Sequence, residues 1–331
     1  GGVLDGCPSG LDMDEFLIRA ELDRRKPGSA GVGGTARKES DTVRLLSGIF
    51  EGKTTGTPIG FVIENADQRS KDYDRLKDLF RPGHADFTFQ AKFGLRDHRG
   101  GGRSSGRETA CRVAGGAIAQ EILRAEGVSV LAYTVELGGV EARVLDPEGA
   151  QQRPFFSPDP EAPARFEERI REVKGQGDSL GGVVEIQVLG LPPGLGEPVF
   201  DKLDARLASA LMGVGAVKGV DIGSGCRAAR MLGSENNDPI TPEGFLSNNA
   251  GGILGGISTG QPVKARAFVK PIPSIAIEQS TVTSSGEAAT IQVGGRHDIC
   301  AIPRIVPVLK AMVALACADL LLLDRRLGRE R

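Results

Sequence analysis

The sequence predicts an α+β fold in one large domain. Segments with the pattern of strands alternate with segments of helical periodicity. The connections between them are long and rich in glycine, and the chain has 47 glycines in 331 residues. A doubly wound parallel sheet needs a regular βαβ rhythm, so that fold is not favoured. We expect a single domain over residues 1–331, with two similar halves at about 1–140 and 175–331.

The first elements are predicted from caps and turn residues. A helix is expected over residues 12–24, with Asp12 as its N-cap. A glycine-rich basic loop follows at 26–40, and "TPIGFVIEN" (57–65) has the pattern of a strand. Residues 67–84 are polar and basic, so we expect a loop with one helical turn.

The clearest helix is predicted to begin at Ser105. Ser105 and Glu108 have the spacing of a capping box. The apolar residues that recur at helical spacing are Val113, Ala117, Ile118 and Ile122. Small residues at 114–117 would let another element pack closely. After this helix we expect a strand at 128–137 and an exposed, proline-containing excursion at 145–165.

The second half is predicted to repeat the same kinds of element. A helix is expected at about 165–174, and a strand in "GGVVEIQVL". A helix in "DKLDARLASALM" would bury one face formed by Leu203, Leu207, Ala210 and Leu211. The polar, glycine-rich "SNNAGGILGGISTGQP" and the strand "VKARAFV" follow. A long helix from about 304 to 323 closes the chain.

The composition argues against a nucleic-acid-binding or membrane protein. The net charge is −2, so the whole molecule has no attraction for polyanions. Lysine and arginine are nevertheless concentrated at 19–38 and 81–112, which indicates a focused site for a small anion. The most apolar run, 308–323, is interrupted by Lys310 and Asp319, so it is predicted to be a core helix.

The cysteines do not indicate a metal site or disulfide bonds. There are five, none in CxxC spacing, and we expect free thiols in a reducing compartment. His297 and Cys300 have an HxxC spacing, but no second pair of ligands follows, so zinc is not expected.

The stretch "RGGGRSSGRETACRV" (99–113) is the strongest candidate for an anion site. A helix is predicted to begin directly after it, and a helix N-terminus offers free N–H groups and a partial positive charge. Arg103 and Arg107 could each hold an oxyanion through two hydrogen bonds, with Ser104 and Ser105 between them. The alternative is a capped helix with solvated arginines.

The three histidines are open to two interpretations each. His84 in "FRPGHADFTF" is either a catalyst or a histidine that fills a turn. His98 is predicted to be an exposed loop histidine. His297 and Asp298 are adjacent, so on a strand they would point to opposite faces and would not form a dyad, and one of them could face a cleft.

Taken together, these segments resemble the chorismate synthase family. The resemblance covers nearly the whole chain in the family's order, which is more specific than any single motif. The matching segments are "DGCPSGL", "LDRRKPG", "SGIFEGKTTGTPIG", "DQRSKDY", "RPGHADFTFQAKFGLRDHRGGGRSSGRETACRVAGGAIA", "GDSLGGVVE", "PPGLGEPVFDKLDARLASALM", "AVKGVDIGSG", "NNAGGILGGISTGQP", "KPIPSI" and "GRHDICAIPR".

The resemblance implies both a reaction and a fold. The reaction is the 1,4-anti elimination of phosphate from 5-enolpyruvylshikimate 3-phosphate to give chorismate, a carbon–oxygen lyase reaction of the shikimate pathway. It requires reduced FMN although there is no net redox change. The fold is a β-α-β sandwich with helices layered between antiparallel sheets, assembled as a homotetramer.

The resemblance also implies the roles of individual residues. His84 and Asp298 would be catalytic, and Arg25, Arg81 and Arg107 would hold the anionic groups of the substrate. The residues implied to bind FMN are Arg103, Ser104, Ser105, Gly215, Ala216, Gly255, Lys270, Pro271, Ile272, Pro273, Ser274 and Arg296.

The family pattern also includes an N-terminal Gly-Glu-Ser-His-Gly, whose histidine protonates the leaving phosphate. The sequence begins "GGVLDGCP", and the "DGCP" at residues 5–8 is the part of the family pattern that follows this segment. We expect that segment to be needed for activity, because general-acid catalysis contributes ~10²–10⁴-fold.

Several properties are left open by the sequence. No dinucleotide-binding fingerprint is found, so an external flavin reductase is favoured over reduction of FMN by NADPH on this chain. Cytoplasm and plastid are both possible compartments. The alternative functions are an FMN-dependent oxidoreductase or electron carrier and a phosphate- or RNA-binding module. Few aromatic residues argue against the carrier, and the charge argues against the module.

Overall fold

The computed structural model describes residues 1–26, 33–34, 40–65, 76–98, 104–294 and 297–328. Most of the predicted loop at 26–40 and part of the loop at 67–84 lie outside the described residues. Two predicted site residues, Arg103 and Arg296, also lie outside them.

The described residues form helices and strands throughout the chain. The helices are α1 (Glu15–Arg25), α2 (Asp86–Phe93), α3 (Thr109–Arg124), α4 (Ala162–Gly175), α5 (Leu203–Met212), α6 (Gly233–Asn236) and α7 (Ile302–Arg326). The strands are β1 (Gly2–Leu4), β2 (Val43–Leu45), β3 (Ile49–Phe50), β4 (Lys53–Thr54), β5 (Ile59–Ile63), β6 (Ser129–Leu137), β7 (Val140–Glu141), β8 (Gly182–Leu189), β9 (Val217–Ile222), β10 (Ile240–Thr241), β11 (Gly244–Phe245), β12 (Ile253–Leu254), β13 (Ile257–Ser258), β14 (Val263–Val269), β15 (Gln279–Val282) and β16 (Ala288–Ile291).

The largest sheet is antiparallel and has five strands in the order β7-β6-β8-β14-β9. Alternate residues of a strand face opposite sides of a sheet. In β14, Val263, Ala265, Ala267 and Val269 are buried, while Arg266 and Phe268 are exposed. The buried side of this sheet packs on α7, which contacts β6 and β8.

A smaller antiparallel sheet lies on the other side of the helices. It has three strands in the order β1-β5-β2. A side chain added at Gly115 of α3 would lie 3.9 Å from Leu4 of β1 and 3.9 Å from Leu315 of α7. The helices are therefore layered between two antiparallel sheets, and the predicted α+β sandwich is confirmed.

The centre of the helical layer is the close packing of α3 against α7. Val113, Ile118 and Ile122 of α3 are buried, as predicted. A Cβ atom added to Gly116 would lie 2.2 Å from the Cβ atom of Ala311. Because atoms cannot approach so closely, glycine is required for this distance between the helices.

The helix α7 is long and apolar enough to cross a membrane by length and composition. Within its most apolar window, however, 72% is buried inside the molecule. Lys310 on this helix forms an ion pair with Glu21 of α1, with 2.9 Å between Lys310 Nζ and Glu21 Oε1. The predicted assignment of this segment as a core helix is confirmed.

The predicted N-cap of the first helix is wrong. Asp14, not Asp12, caps α1, because its Oδ1 atom accepts a hydrogen bond of 2.9 Å from the backbone N–H of Leu17. Asp12 instead forms an ion pair with Lys53. Two aspartates stand close together here, and the sequence pattern does not separate them.

The predicted capping box at the start of α3 is also only half present. The Ser105 hydroxyl accepts a hydrogen bond of 3.2 Å from the backbone N–H of Arg107, which caps a 3-10 turn at Gly106–Glu108. Glu108 does not bond back to Ser105. Its carboxylate pairs with Arg112 at 3.0 Å, one helical turn further on.

The predicted exposed excursion at 145–165 is wrong in its middle part. Residues 155–159 are buried. The rings of Phe155 and Phe166 of α4 meet edge to face, with 6.0 Å between their centres. The prolines of the segment suggested solvent exposure, but the two aromatic side chains of Phe155 and Phe156 add enough apolar surface to hold it against the core.

Candidate active site

A cavity of about 810 Å³ lies where several distant chain segments meet. Its lining comes from the starts of α3 and α7, from the turn before α2, and from the loops that precede β9 and follow β14. The predicted site residues that line it are Arg25, Arg81, His84, Ser104, Ser105, Arg107, Gly215, Ala216, Lys270, Ile272, Pro273, Ser274 and Asp298. Residues from both ends of the chain are therefore brought together.

Two predicted FMN-binding residues within the described part of the chain do not line this cavity. Gly255 is exposed in the turn between β12 and β13, with a φ of +59°. Pro271 is exposed next to Lys270 and Ile272, which do line the cavity.

The cavity lining is strongly basic. Its cationic residues are Arg25, Arg81, Arg107, Arg112, Lys218, Lys270 and Arg304. Its acidic residues, among those described, are Glu108 and Asp298. A concave, partly buried surface of one sign of charge raises the local concentration of ions of the other sign. The lining is thus suited to a ligand with several negative charges.

A tight turn at residues 81–84 places His84 over Arg81. The backbone N–H of His84 donates a hydrogen bond of 3.1 Å to the carbonyl oxygen of Arg81. Pro82 and Gly83 occupy the two middle positions, and Gly83 has a φ of +69°. Proline followed by a glycine with positive φ is the pattern of a type II turn. Helix α2 begins two residues later, at Asp86.

Asp86 is buried behind this turn, and its carboxylate contacts the side chains of Arg81, Arg96 and His84. Its carboxylate accepts hydrogen bonds of 2.7 Å and 3.0 Å from Nε and Nη2 of Arg81. It lies 2.9 Å from Nη1 of Arg96 and 3.0 Å from Nδ1 of His84. Burial alone would raise the pKa of Asp86, but hydrogen bonds from His84 and Arg81 outweigh it and hold the pKa well below its usual value.

A second buried aspartate, Asp41, lies between two arginines on another side of the cavity. Nη1 of Arg25 donates a hydrogen bond of 2.8 Å to Asp41 Oδ2, and Nη1 of Arg107 donates to Asp41 Oδ1. Arg25 is only 2% exposed, and its Nε atom donates to the Thr109 hydroxyl at 3.0 Å. Nη2 of Arg107 donates to the carbonyl oxygen of Glu64 at 3.0 Å. Both arginines are therefore held in fixed orientations.

Asp298 is held by an arginine of the first turn of α7. Nη1 of Arg304 donates a hydrogen bond of 2.7 Å to Asp298 Oδ2. His297 and Asp298 are not in a strand, and both line the cavity. The expectation that they point to opposite faces assumed a strand and does not apply here.

Another part of the lining comes from the loops before β9 and after β14. Ala216 has a φ of +77°, which is unusual for a residue other than glycine, and its carbonyl oxygen accepts a hydrogen bond of 2.9 Å from the N–H of Lys270. Nζ of Lys270 donates to the carbonyl oxygen of Gly83 at 2.6 Å, which joins this part of the lining to the His84 turn. Burial lowers the pKa of Lys270, and the nearby charge of Lys218 lowers it further.

Sequence reasoning missed several residues of this site. Asp41, Asp86 and Arg304 were not predicted, although Asp86 and Arg304 lie inside the matching segments "RPGHADF" and "GRHDICAIPR". A signal for Asp86 was available in its spacing from His84 and Arg81. No comparable signal exists for Asp41, because its partners come from α1 and from the start of α3.

The chain was compared with families and proteins of known identity. A sequence model of the family described as chorismate synthase matches residues 1–322. The chorismate synthase of Maridesulfovibrio salexigens is 65% identical over 328 residues, which are 99% of this chain and 93% of that protein. The one from Oleidesulfovibrio alaskensis is 64% identical over 331 residues, 100% of this chain and 93% of that protein. A crystal structure of a chorismate synthase superposes with a TM-score of 0.75 at 33% identity, covering 98% of this chain and 88% of that one.

Proposed function

The chain belongs to the chorismate synthase family, and on this premise we propose that the basic cavity is the place where it carries out the family's reaction. It is a carbon–oxygen lyase that converts 5-enolpyruvylshikimate 3-phosphate to chorismate by a 1,4-anti elimination of phosphate. The observation that carries the assignment of the cavity is the convergence of His84, Asp298 and several arginines on one space of about 810 Å³.

The substrate is a small molecule with a phosphate and two carboxylates. Arg81 and Arg107 face the cavity with guanidinium groups already oriented by Asp86 and Asp41. Arg25 also lines the cavity, is 2% exposed and adds a fixed positive charge. Oriented charges in a site with little water interact with an anion more strongly than solvated ones do. We therefore assign substrate binding to these three arginines.

The residues present also fit FMN. The cavity volume is near the upper end of the ~300–1,000 Å³ range of small-molecule sites, which suits two ligands together. A Cβ added to Gly215 would meet no other atom within 4 Å, so the backbone there opens on free space that a flat ring could occupy. Ser104, Ser105, Lys270 and the backbone of 272–274 offer donors for the phosphate and ring edges.

Reduced FMN, when bound, supplies electron density transiently while the phosphate leaves, without net redox change. His84 turns Nδ1 to Asp86, so Nε2 is the ring nitrogen that exchanges a proton with a ligand. Asp298 offers a carboxylate, oriented by Arg304, that assists removal of the substrate proton. The cationic lining stabilises the negative charge that collects on the departing phosphate.

Three further properties are proposed for the protein in its cell. An external flavin reductase supplies reduced FMN, with NADPH as the final reductant. The chain assembles as a homotetramer, as its resemblance to the family implies. Bacterial relatives at 65% identity support a cytoplasmic location.

The reaction is tested without oxygen. The full chain is mixed with photoreduced FMN and 5-enolpyruvylshikimate 3-phosphate, and chorismate and phosphate are measured. We expect one phosphate for each chorismate, with FMN still reduced at the end. Oxidation of FMN in proportion to product would instead indicate an oxidoreductase, and the absence of chorismate would contradict the proposal.

His84→Ala tests the catalytic role of that residue. We expect kcat to fall on the order of 10²–10⁴-fold, the usual contribution of a positioned proton donor or acceptor, while the affinity for FMN changes little. The affinity is measured by titrating FMN fluorescence. A collapse of FMN binding would show that His84 supports the structure of the site and does not act in the reaction.

A further inference from the structure

Asp86 lies behind the catalytic face of the site, and it is not itself part of the cavity lining. It is 2% exposed and is the first residue of α2. Among the described residues, its carboxylate contacts the side chains of Arg81, His84 and Arg96, and it also accepts a hydrogen bond of 3.2 Å from the backbone N–H of Arg81. The inference below rests on the proposed function, because it concerns how Asp86 acts on His84.

The two contacts of His84 Nδ1 favour different protonation states of this nitrogen. Nδ1 lies 3.0 Å from Asp86 Oδ1 and 3.1 Å from Arg81 Nη2. A carboxylate only accepts hydrogen bonds, so the contact with Asp86 is favourable when Nδ1 carries a proton. A guanidinium nitrogen only donates, so the contact with Arg81 is favourable when Nδ1 carries none.

The other hydrogen bonds of Arg81 indicate whether Nδ1 carries a proton. Nη2 of Arg81 already has an acceptor, Asp86 Oδ1, at 3.0 Å, and Nε of Arg81 has Asp86 Oδ2 at 2.7 Å. Without a proton on Nδ1, a lone pair would lie 3.0 Å from a carboxylate oxygen in a buried place, where such repulsion is poorly screened. A proton on Nδ1 removes this repulsion, and Arg81 keeps both of its hydrogen bonds to Asp86.

We propose that Asp86 is a positioning residue that holds the Nδ1 proton of His84 and thereby leaves Nε2 as the only atom that exchanges a proton with a ligand. The same carboxylate fixes Arg81, so one buried group orients both the proton-exchanging side chain and a substrate-binding one. Arg96, which is 2.9 Å from Asp86, balances the charge from behind.

The charged groups near His84 come from three chain segments. Arg81 lies in the same turn as His84, and Asp86 lies at the start of α2. Arg96, which follows α2, reaches the same carboxylate. From the loop after β14, Nζ of Lys270 lies on the carbonyl oxygen of the preceding Gly83. Asp86 is the one anionic side chain among these described groups, so its removal leaves His84 facing cations alone.

The first experiment reads the proton directly and needs no flavin. The chain has three histidines, so a long-range ¹⁵N–¹H spectrum of histidine-labelled protein is simple to assign. His84→Gln identifies the signals of His84 by their loss. At a pH where the imidazole is neutral, we expect Nδ1 of His84 to be protonated and Nε2 to be unprotonated. A proton on Nε2 instead overturns the proposal.

The second experiment replaces the carboxylate. In Asp86→Asn, the amide oxygen is expected to stay with the arginines and its NH₂ group to face Nδ1, which moves the proton of His84 to Nε2. We expect kcat to fall on the order of 10²–10⁴-fold, since in a hydrolytic triad the same exchange costs about 10⁴ by selecting the wrong tautomer. Asp86→Glu keeps a carboxylate and is expected to recover part of kcat and the Nδ1 proton.

Asp41→Asn is the matched control. Asp41 is also a buried carboxylate between two arginines, so its replacement carries a similar cost to the fold. We expect it to change KM while the spectrum of His84 stays that of the unaltered chain. If Asp86→Asn keeps the Nδ1 proton but loses activity, Asp86 acts through Arg81 alone and the proposal is overturned. If Asp86→Asn does not fold, the spectrum of the unaltered chain still shows whether Nδ1 of His84 carries the proton. Chorismate formation by the unaltered chain tests the proposed function separately.

Discussion

Each of the two buried aspartates beside the cavity contacts more than one arginine. Asp41 lies between Arg25 and Arg107, and Asp86 lies between Arg81 and Arg96. An arginine at a binding site is useful only if its guanidinium plane is held in the right orientation, because two parallel hydrogen bonds need a fixed geometry. A substitution at either aspartate is therefore expected to disturb two arginines at once.

Asp41→Asn separates orientation from simple attraction. Removal of a negative charge makes the cavity more positive, so Coulomb attraction alone would tighten the binding of an anion. Loss of the hydrogen bonds that orient Arg25 and Arg107 would weaken the binding of the anion. We expect the Kd of 5-enolpyruvylshikimate 3-phosphate, measured by calorimetry with FMN present, to rise about tenfold, or about 1.4 kcal/mol.

A tighter complex of Asp41→Asn would contradict this expectation, because it would mean that the arginines orient themselves without the carboxylate. The control is Asp12→Asn, which makes the same chemical change in an exposed ion pair with Lys53. Surface ion pairs contribute little, so we expect its Kd to be unchanged.

Asp86 is also expected to make stability depend on pH in the acid range. Its pKa in the folded chain lies below the usual value of 3.8, so folding favours the ionised form. The stabilisation is fully present above the pKa of the unfolded chain and is lost as the pH falls below it. The difference in Tm between the unaltered chain and Asp86→Asn should therefore be largest at neutral pH and shrink below about pH 4. A difference that stays constant between pH 7 and pH 3 in thermal unfolding would contradict this assignment.

At the scale of elements, the packing of α3 on α7 gives a sharp prediction. Gly116→Ala places a Cβ atom 2.2 Å from Ala311 Cβ and 2.5 Å from Ala311 Cα, so the helices must separate. Alanine favours a helix by up to ~1 kcal/mol over glycine, but overpacking of a core costs about 1–3 kcal/mol. We expect a net loss of free energy of unfolding, measured by denaturant titration.

The control for this change is Gly175→Ala at the end of α4. A Cβ added there meets no atom within 4 Å, and the residue is exposed. Only the helix propensity changes, so we expect stability to be equal or slightly higher. Equal effects of the two substitutions would show that the contact with Ala311 is relieved by a small shift of the helices.

The elements that could be predicted from sequence were those with a repeated pattern. Buried residues at helical spacing identified α3, α5 and α7, because the core face of a helix leaves a periodic signal. The segment 155–159 could not be recognised in this way, since it has no periodic pattern and is buried by contacts with residues distant in sequence, such as Phe166 of α4 and Thr134 of β6. The choice between Asp12 and Asp14 depended on where Lys53 would lie.

At the scale of the whole molecule, the composition of the site was easier to predict than its geometry. The clusters of arginine at 19–38 and 81–112 indicated an anion site in a chain of net charge −2, and the structure places arginines of both clusters around one cavity. The resemblance to a family supplied the roles of those residues. The pairing of Arg25 and Arg107 with Asp41 could not be predicted, because Asp41 is 16 residues from Arg25 and 66 from Arg107 and no local pattern marks it. Asp86 is only five residues from Arg81, so its pairing left a signal in the sequence.

The start of α7 at the cavity has a consequence for how the site attracts its ligand. Thr109, the first residue of α3, and Arg304, in the first turn of α7, both line the cavity, so two helices begin at the same space. The peptide dipoles of each helix add to about half a positive charge at that end. This part of the field belongs to the backbone, so it neither titrates nor changes with any side-chain substitution. A chain stripped of its cavity arginines would keep a residual preference for anions, because the topology of the fold supplies it.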